Sequence, residues 1–306
     1  MIYLQSLAVL LSVAVISSHP YVSPHMPNTQ LAKTVALDDD KPVTKRLEAH
    51  PDFDLTLENA DKLKLQASQY IDNRDYVRAE PLLKQSLQFY KQLQGEESRR
   101  YAITLDQLGY VYIWLGKHTQ AEKCLLQANR ILKTNMGESR DLYFDSENNL
   151  AGLYLKTGDL ERAKPLLIEV LEARKRKVGV EHIDYAGSLN NLGLVYLRCG
   201  KFELAEPLFR QALSINRRRL GENNQIYADT LEKLAELFDV KGEDIVAELF
   251  QIRAVSIYIK VLPKTHPALA QGLERYVTLL KKMQLDEQAA QVLATLKMIR
   301  EEKASK

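Results

Sequence analysis

Residues 185–221 read YAGSLNNLGLVYLRCGKFELAEPLFRQALSINRRRLG. Ser188, Leu189, Leu192, Gly193, Tyr196 and Leu197 fall at i, i+3, i+4 and i+7 steps, one face of a first helix. Gly200 follows, where a left-handed backbone ends that helix at little cost. Leu204, Ala205, Leu208, Phe209, Ala212 and Ile215 mark the face of a second helix. The spacing predicts two helices joined by a tight turn.

The same grammar recurs in both directions from this stretch. Tyr101, Tyr143, Tyr185 and Tyr227 stand 42 residues apart, as do Leu108, Leu150, Leu192 and Leu234. Tyr112, Tyr154, Tyr196 and Phe238 keep that step, and so do Gly116, Gly158, Gly200 and Gly242. The longest column is Ala79, Ala121, Ala163, Ala205, Ala247 and Ala289, which defines six copies. Their expected limits are 59–100, 101–142, 143–184, 185–226, 227–268 and 269–303, inside a repeat domain of 56–303. Small residues such as Gly193, Ala205, Ala151, Ala163 and Ala235 let helix backbones approach, while Tyr and Leu fill the space between pairs. Pro81, Pro165 and Pro207 are expected in the first turn of the second helices, where proline removes no hydrogen bond.

Tyr or Leu, then Leu-Gly, Tyr, a turn Gly, Ala, Phe or Leu, and Ala at these offsets resembles the tetratricopeptide repeat. The 42-residue form resembles the repeats of kinesin light chains and their bacterial relatives, over about Asn59 to Ile299. The resemblance implies an all-α fold, a right-handed α-solenoid of about six tetratricopeptide-like helix-turn-helix repeats. No heptad region precedes the repeats, so the likeness is to the repeat family and not to a motor subunit. The end copies are atypical, as capping repeats are. The first has Arg74 in the turn-glycine column, with Asn73 expected to carry the special backbone. The sixth has Gln284 there and Val277 in the Gly/Ala column.

Composition agrees with a helical chain. The 13 glycines among 306 residues fall below the usual share of about 7%, which disfavours turn-rich β folds. The 45% apolar content argues against a disordered chain. Forty-two basic and 40 acidic side chains leave a net charge of +2, no general attraction for nucleic acid or an acidic substrate. Two cysteines build no disulfide framework.

Residues 1–18, MIYLQSLAVLLSVAVISS, carry no charged side chain. Their apolar core and the small residues after it read as a signal peptide, with a cut after Ser17, or as an uncleaved membrane anchor. The segment is short for a bilayer span and has no Lys or Arg before its apolar core, so a mistaken start codon or a buried helix is the third reading. The expected location is exported, periplasmic or secreted, or membrane-anchored. Residues 19–55 hold five prolines and Asp38-Asp39-Asp40, and read as a flexible tether.

The chain shows no catalytic constellation and implies no cofactor or metal. His19, His25, His50, His118, His182 and His266 make no ligand spacing. His182 and His266 share one column and are expected to pack or cap in a loop. Cys124 falls in a leucine column, and Cys199 is too distant in the repeat order to bridge to it. An enzyme is not expected.

In this architecture the first helices line a concave groove. Helical phase places Ile103, Asp106, Gln107, Tyr110, Ile113 and Trp114 there from copy two. Asn148, Asn149 and Leu155 come from copy three, and Asn190, Asn191, Leu194 and Arg198 from copy four. Asp229, Glu232, Glu236 and Asp239 follow from copy five, and Glu274, Thr278 and Lys281 from copy six. A carboxamide both donates and accepts, so an asparagine ladder suits the backbone of an extended peptide. The resemblance implies that role for Asn148, Asn149, Asn190 and Asn191. The alternative is that these amides bond neighbouring helices. Tyr110, Ile113 and Trp114 form an apolar patch for an anchoring side chain, or else pack on the next repeat. The acidic stripe of copy five reads as a solvated face or as a selector of basic ligands. Lys64 and Arg198 form no cluster, so no specificity for a terminal carboxylate is expected.

A protein or peptide partner in this groove is the expected function, with no nucleic acid and with the oligomeric state open. The other reading is an adaptor at a membrane. It would use the basic runs Arg174-Lys175-Arg176-Lys177 and Arg217-Arg218-Arg219, aligned by stacking. Those charges also suit helix C-termini for structural reasons alone.

Overall fold

The computed structural model describes residues 55–264 and 266–304. The expected signal or anchor and nearly all of the expected tether lie outside the described residues. Twelve α-helices follow one another in pairs, and among the described residues there is no strand. They are α1 (Leu57–Asp72), α2 (Tyr76–Gln94), α3 (Arg99–Trp114), α4 (His118–Thr134), α5 (Met136–Thr157) and α6 (Leu160–Val178). Then come α7 (Ile183–Arg198), α8 (Phe202–Leu220), α9 (Gln225–Val240), α10 (Asp244–Val261), α11 (Pro267–Lys282) and α12 (Asp286–Ala304).

The described chain forms two compact units that divide at Ala173 and Arg174, inside α6. In the N-terminal unit α1 packs on α2, α2 on α3, α3 on α4, and α5 on both α3 and α4. In the C-terminal unit α7 packs on α8 and α9, α8 on α9, α9 on α10, α10 on α11 and α11 on α12.

The alanine column explains how the pairs close. Ala79, Ala121, Ala163, Ala205 and Ala247 are fully buried, and Ala289 nearly so. Tyr101, Tyr143, Tyr185 and Tyr227 are all buried as well. Gly193 sits against the Phe209 ring so closely that a Cβ there would lie 2.6 Å from a ring carbon. Gly109 bears the same relation to Leu125, also at 2.6 Å. Ridges from the second helix therefore rest in hollows on the first. Leu204, expected on the packed face of α8, is instead exposed. It lies one residue before the Ala205 contact, at the margin of the buried stripe.

Helix starts follow one column. Thr56, Ser98, His182, Asn224 and His266 precede α1, α3, α7, α9 and α11, and each side chain accepts a backbone N–H of the first turn. The two histidines are thus caps. Copy three has Arg140 in that column, a side chain with no acceptor. There the helix runs back to Met136, with Asn135 alone between it and the end of α4. A missing N-cap, worth about 1 kcal/mol, removes the signal to break the chain at that point.

Two expectations are corrected. Pro81, Pro165 and Pro207 lie inside α2, α6 and α8, in the second turn and not the first. Asp75 and Asp159 cap α2 and α6 upstream by accepting from the N–H groups of Arg78 and Arg162, which starts those helices early. At the first turn between paired helices, Arg74 itself takes the left-handed backbone, φ 58°, while Asn73 stays at φ −81°. Gln284 does the same in the last pair, φ 61°.

Candidate functional site

The first helices α1, α3 and α5 of the N-terminal unit carry polar residues that bond from one helix to the next. Gln107 Nε2 donates to Ser68 Oγ at 3.2 Å, and Asn149 Nδ2 donates to Asp106 Oδ2 at 2.8 Å. Lys156 Nζ donates to the carbonyl of Ile113 at 3.1 Å. Desolvation, with a smaller push from the charge of Asp145, raises the Asp106 carboxyl to about 6 against the lowering pull of Ser146 and of the Asn149 bond.

The C-terminal unit is braced in the same way. Asn190 is only 7% exposed, and its Nδ2 donates to Thr230 Oγ1 at 2.9 Å. Glu232 is buried and ion-paired with Arg275, and Gln251 donates to it and to the carbonyl of Gly272. Burial holds the Glu232 carboxyl above its ordinary range despite the arginine. Arg198 pairs with Glu236 at 3.3 Å, Lys282 with Asp239 at 2.6 Å, and Tyr258 donates to Asp229.

These bonds revise the expected groove. Asn149 and Asn190 bond neighbouring first helices, the alternative role, and Asn148 and Asn191 are half-buried and also engaged within the chain. Ile113, 6% exposed, belongs to the core and not to an accessible patch. Leu194 is half-buried against the core of Phe209 and Phe238. The acidic stripe of copy five is no open selector of basic ligands, because Asp229, Glu232, Glu236 and Asp239 all have partners. Arg217 and Arg218 of the basic run are ion-paired to Glu222 and Glu181, and Arg219 donates to the carbonyl of Glu181.

Tyr110 and Trp114 are brought together at the surface of the N-terminal unit. Trp114 is 47% exposed and sits at the C-terminal end of α3. Tyr76 from α2 stacks on it, with centroids 5.6 Å apart and planes within 5°. Tyr110 meets Trp114 edge-on at 6.2 Å and Tyr76 at 6.3 Å. Lys156 Nζ stands 4.6 Å from the centre of the Trp114 ring, a cation–π distance. Burial, with Tyr110 beside it, pushes the Tyr76 hydroxyl up to about 12, so it remains a donor at neutral pH. The arrangement is a held aromatic surface with a fixed cation, able to take an apolar or planar group while a hydroxyl or ammonium orients it.

Tyr76 and Lys156 were not legible as site residues. Tyr76 lies on a second helix, whereas helical phase points to the first helices as groove-lining. Lys156 shares the 42-residue column of Trp114 and Arg198, and that column was the available signal. Among the described residues no group of His, Cys, Asp and Glu is arranged to hold a metal ion. Burial pushes the Cys124 thiol up to about 11.

The sequence profile of the tetratricopeptide repeat matches residues 59–134, 142–217 and 184–260. No curated protein sequence matches the chain. Among solved structures, BtubC (BKLC) from P. vanneervenii is 19% identical, with a TM-score of 0.56 over 83% of this chain and 94% of its own. A Podosopora anserina putative kinesin light chain with nearly identical TPR-like repeats is 20% identical, with a TM-score of 0.54 over 67% of this chain and 97% of that one. The Rap conjugation gene regulator of the plasmid pLS20, solved with the Phr* peptide, is 15% identical, with a TM-score of 0.60 over 89% of this chain and 80% of that one.

Proposed function

Because the chain belongs to the tetratricopeptide repeat family, we propose that it is a non-enzymatic scaffold that binds an extended peptide or a partner protein. The carrying observation is the half-exposed Trp114, stacked on Tyr76 and flanked by Tyr110 and Lys156. A large aromatic residue left open to water is an anchor for binding when its ring is already fixed, since little side-chain freedom is then lost. The asparagines play a smaller part than in a peptide clamp, because Asn149 and Asn190 each already commit an amide donor to a neighbouring helix, to Asp106 and Thr230. A neighbour of similar fold, the Rap regulator, was solved with a peptide, which favours this reading over the adaptor.

Trp114 is the sole tryptophan of the chain, so its emission reports directly on the site. A peptide library screened by that emission should yield binders that lose about tenfold or more in affinity with Tyr76→Ala or Lys156→Ala. Binders indifferent to both, but lost on charge reversal of Arg217 to Arg219, would favour the basic-edge adaptor at a membrane surface. We further propose that residues 1–18 direct export or membrane anchoring. N-terminal sequencing of the mature protein should begin at Ser18, or show an intact Met1 in the membrane fraction; an intact Met1 in the soluble cytoplasm sinks that proposal.

A further inference from the structure

Helix α10, DIVAELFQIRAVSIYIKV, carries apolar side chains on every side of its axis, interspersed with Asp244, Glu248, Arg253 and Lys260, whereas in the amphipathic second helices α2, α4, α6 and α8 they gather on one face. Apolar side chains spread in that way ordinarily find cover on more than one side. One face of α10 does, through Ala247, Ala254, Val255 and Tyr258. The other presents Ile245, 72% exposed, and Leu249, 47% exposed, one turn apart on one stripe. Val240, 57% exposed, closes α9 just before the turn into α10.

The repeat serves as its own control. The column of Ile245 is otherwise Val77, Thr119, Glu161, Glu203 and Glu287, and that of Leu249 is Pro81, Lys123, Pro165, Pro207 and Gln291. Copy five alone places large aliphatic side chains in both columns. Nothing in the packing of the pair demands this, since the other pairs close without them. Acidic side chains flank the ridge: Glu203 and Glu287 are exposed in the columns of the adjacent pairs. Glu243, Asp244 and Glu248 are engaged by Lys241, Lys282 and Tyr276, and Arg253 is ion-paired to Glu222.

We propose that the outer face of α10 is a second interaction surface, which takes an amphipathic helix of a partner protein with basic residues flanking its apolar face. The apolar ridge at i and i+4 matches helix-on-helix packing, and Glu203 and Glu287 on either side of it select the flanking charge. This surface is distinct from Trp114, so a ligand there does not test it.

The probe is a synthetic leucine–lysine amphipathic peptide about five turns long, measured by calorimetry against the full chain at two salt concentrations. Ile245→Ser with Leu249→Ser should weaken binding about tenfold or more, with an unchanged far-ultraviolet spectrum and melting profile. Glu203→Lys with Glu287→Lys should weaken it and flatten its salt dependence. A glutamate version of the peptide should bind at least as weakly as the lysine peptide binds the serine variant. Equal binding to the serine variant overturns the proposal. So does a loss of self-association in that variant by sedimentation, which would assign the face to a second copy of this chain.

Discussion

Asp106 offers the sharpest test of the braced first helices. Its carboxylate is enclosed between α3 and α5 and accepts from Asn149, and its folded pKa is raised from 3.8 to about 6. The folded state therefore binds this proton more tightly than the unfolded chain does. Stability from that proton is fully present below pH 3.8 and is lost as pH rises through about 6. The separation is roughly two pK units at 1.36 kcal/mol each, a penalty of about 3 kcal/mol at neutral pH. Asp106→Asn removes the charge and keeps an oxygen that accepts from Asn149. The variant should gain little over wild type at pH 4 and as much as about 3 kcal/mol at pH 7.5. The comparison isolates this residue, because groups shifted the other way, such as Glu80 and Glu206, are common to both chains. Urea unfolding across that range gives the difference. Amide exchange in α3 and α5 gives it locally, since repeat arrays open in parts. A gain that does not change with pH, or a variant less stable than wild type at pH 7.5, refutes the reasoning.

Arg74→Gly and Gln284→Gly remove left-handed strain at two turns and should each raise stability by about 1 kcal/mol, read as a higher thermal midpoint. Gly193→Ala pushes a methyl into the Phe209 ring and should cost about 1–3 kcal/mol in urea unfolding. Arg275→Met leaves Glu232 buried without its cation; with the arginine itself half-exposed, the loss should be about 1–3 kcal/mol at pH 8. That loss should shrink as pH falls, since the raised Glu232 carboxyl then takes up a proton. A loss independent of pH would place the effect elsewhere.

The helix pairs and their core were legible because the alanine and tyrosine columns depend only on the 42-residue step and a helical period. The candidate site was legible only in part. Phase placed Tyr110 and Trp114 at the surface, but assigned Ile113 to it as well, and a single helical wheel does not show that Ile113 is buried by what packs around it. The bonding of the asparagines is hidden in the sequence for a related reason. Whether Asn149 faces a ligand or Asp106 depends on an offset of 43 residues between neighbouring helices, and a column at 42 does not display it. Tyr76 reaches the site from a second helix. Arg74 took the strained conformation because the pair must turn at that register, whatever residue stands there.

That offset of 43 makes the copies into addressed parts. Asn149 answers Asp106, and Arg275 answers Glu232, each one residue past a full period. Were copy six spliced directly after copy four, Arg275 would meet Asn190 in place of a carboxylate. A unit duplicated or shuffled at either junction would keep its hydrophobic contacts and lose its partner on the neighbouring first helix. At these two junctions the order of the units is thus written in the polar pairing as well as in the hydrophobic columns, so that a unit there is matched to the one it follows.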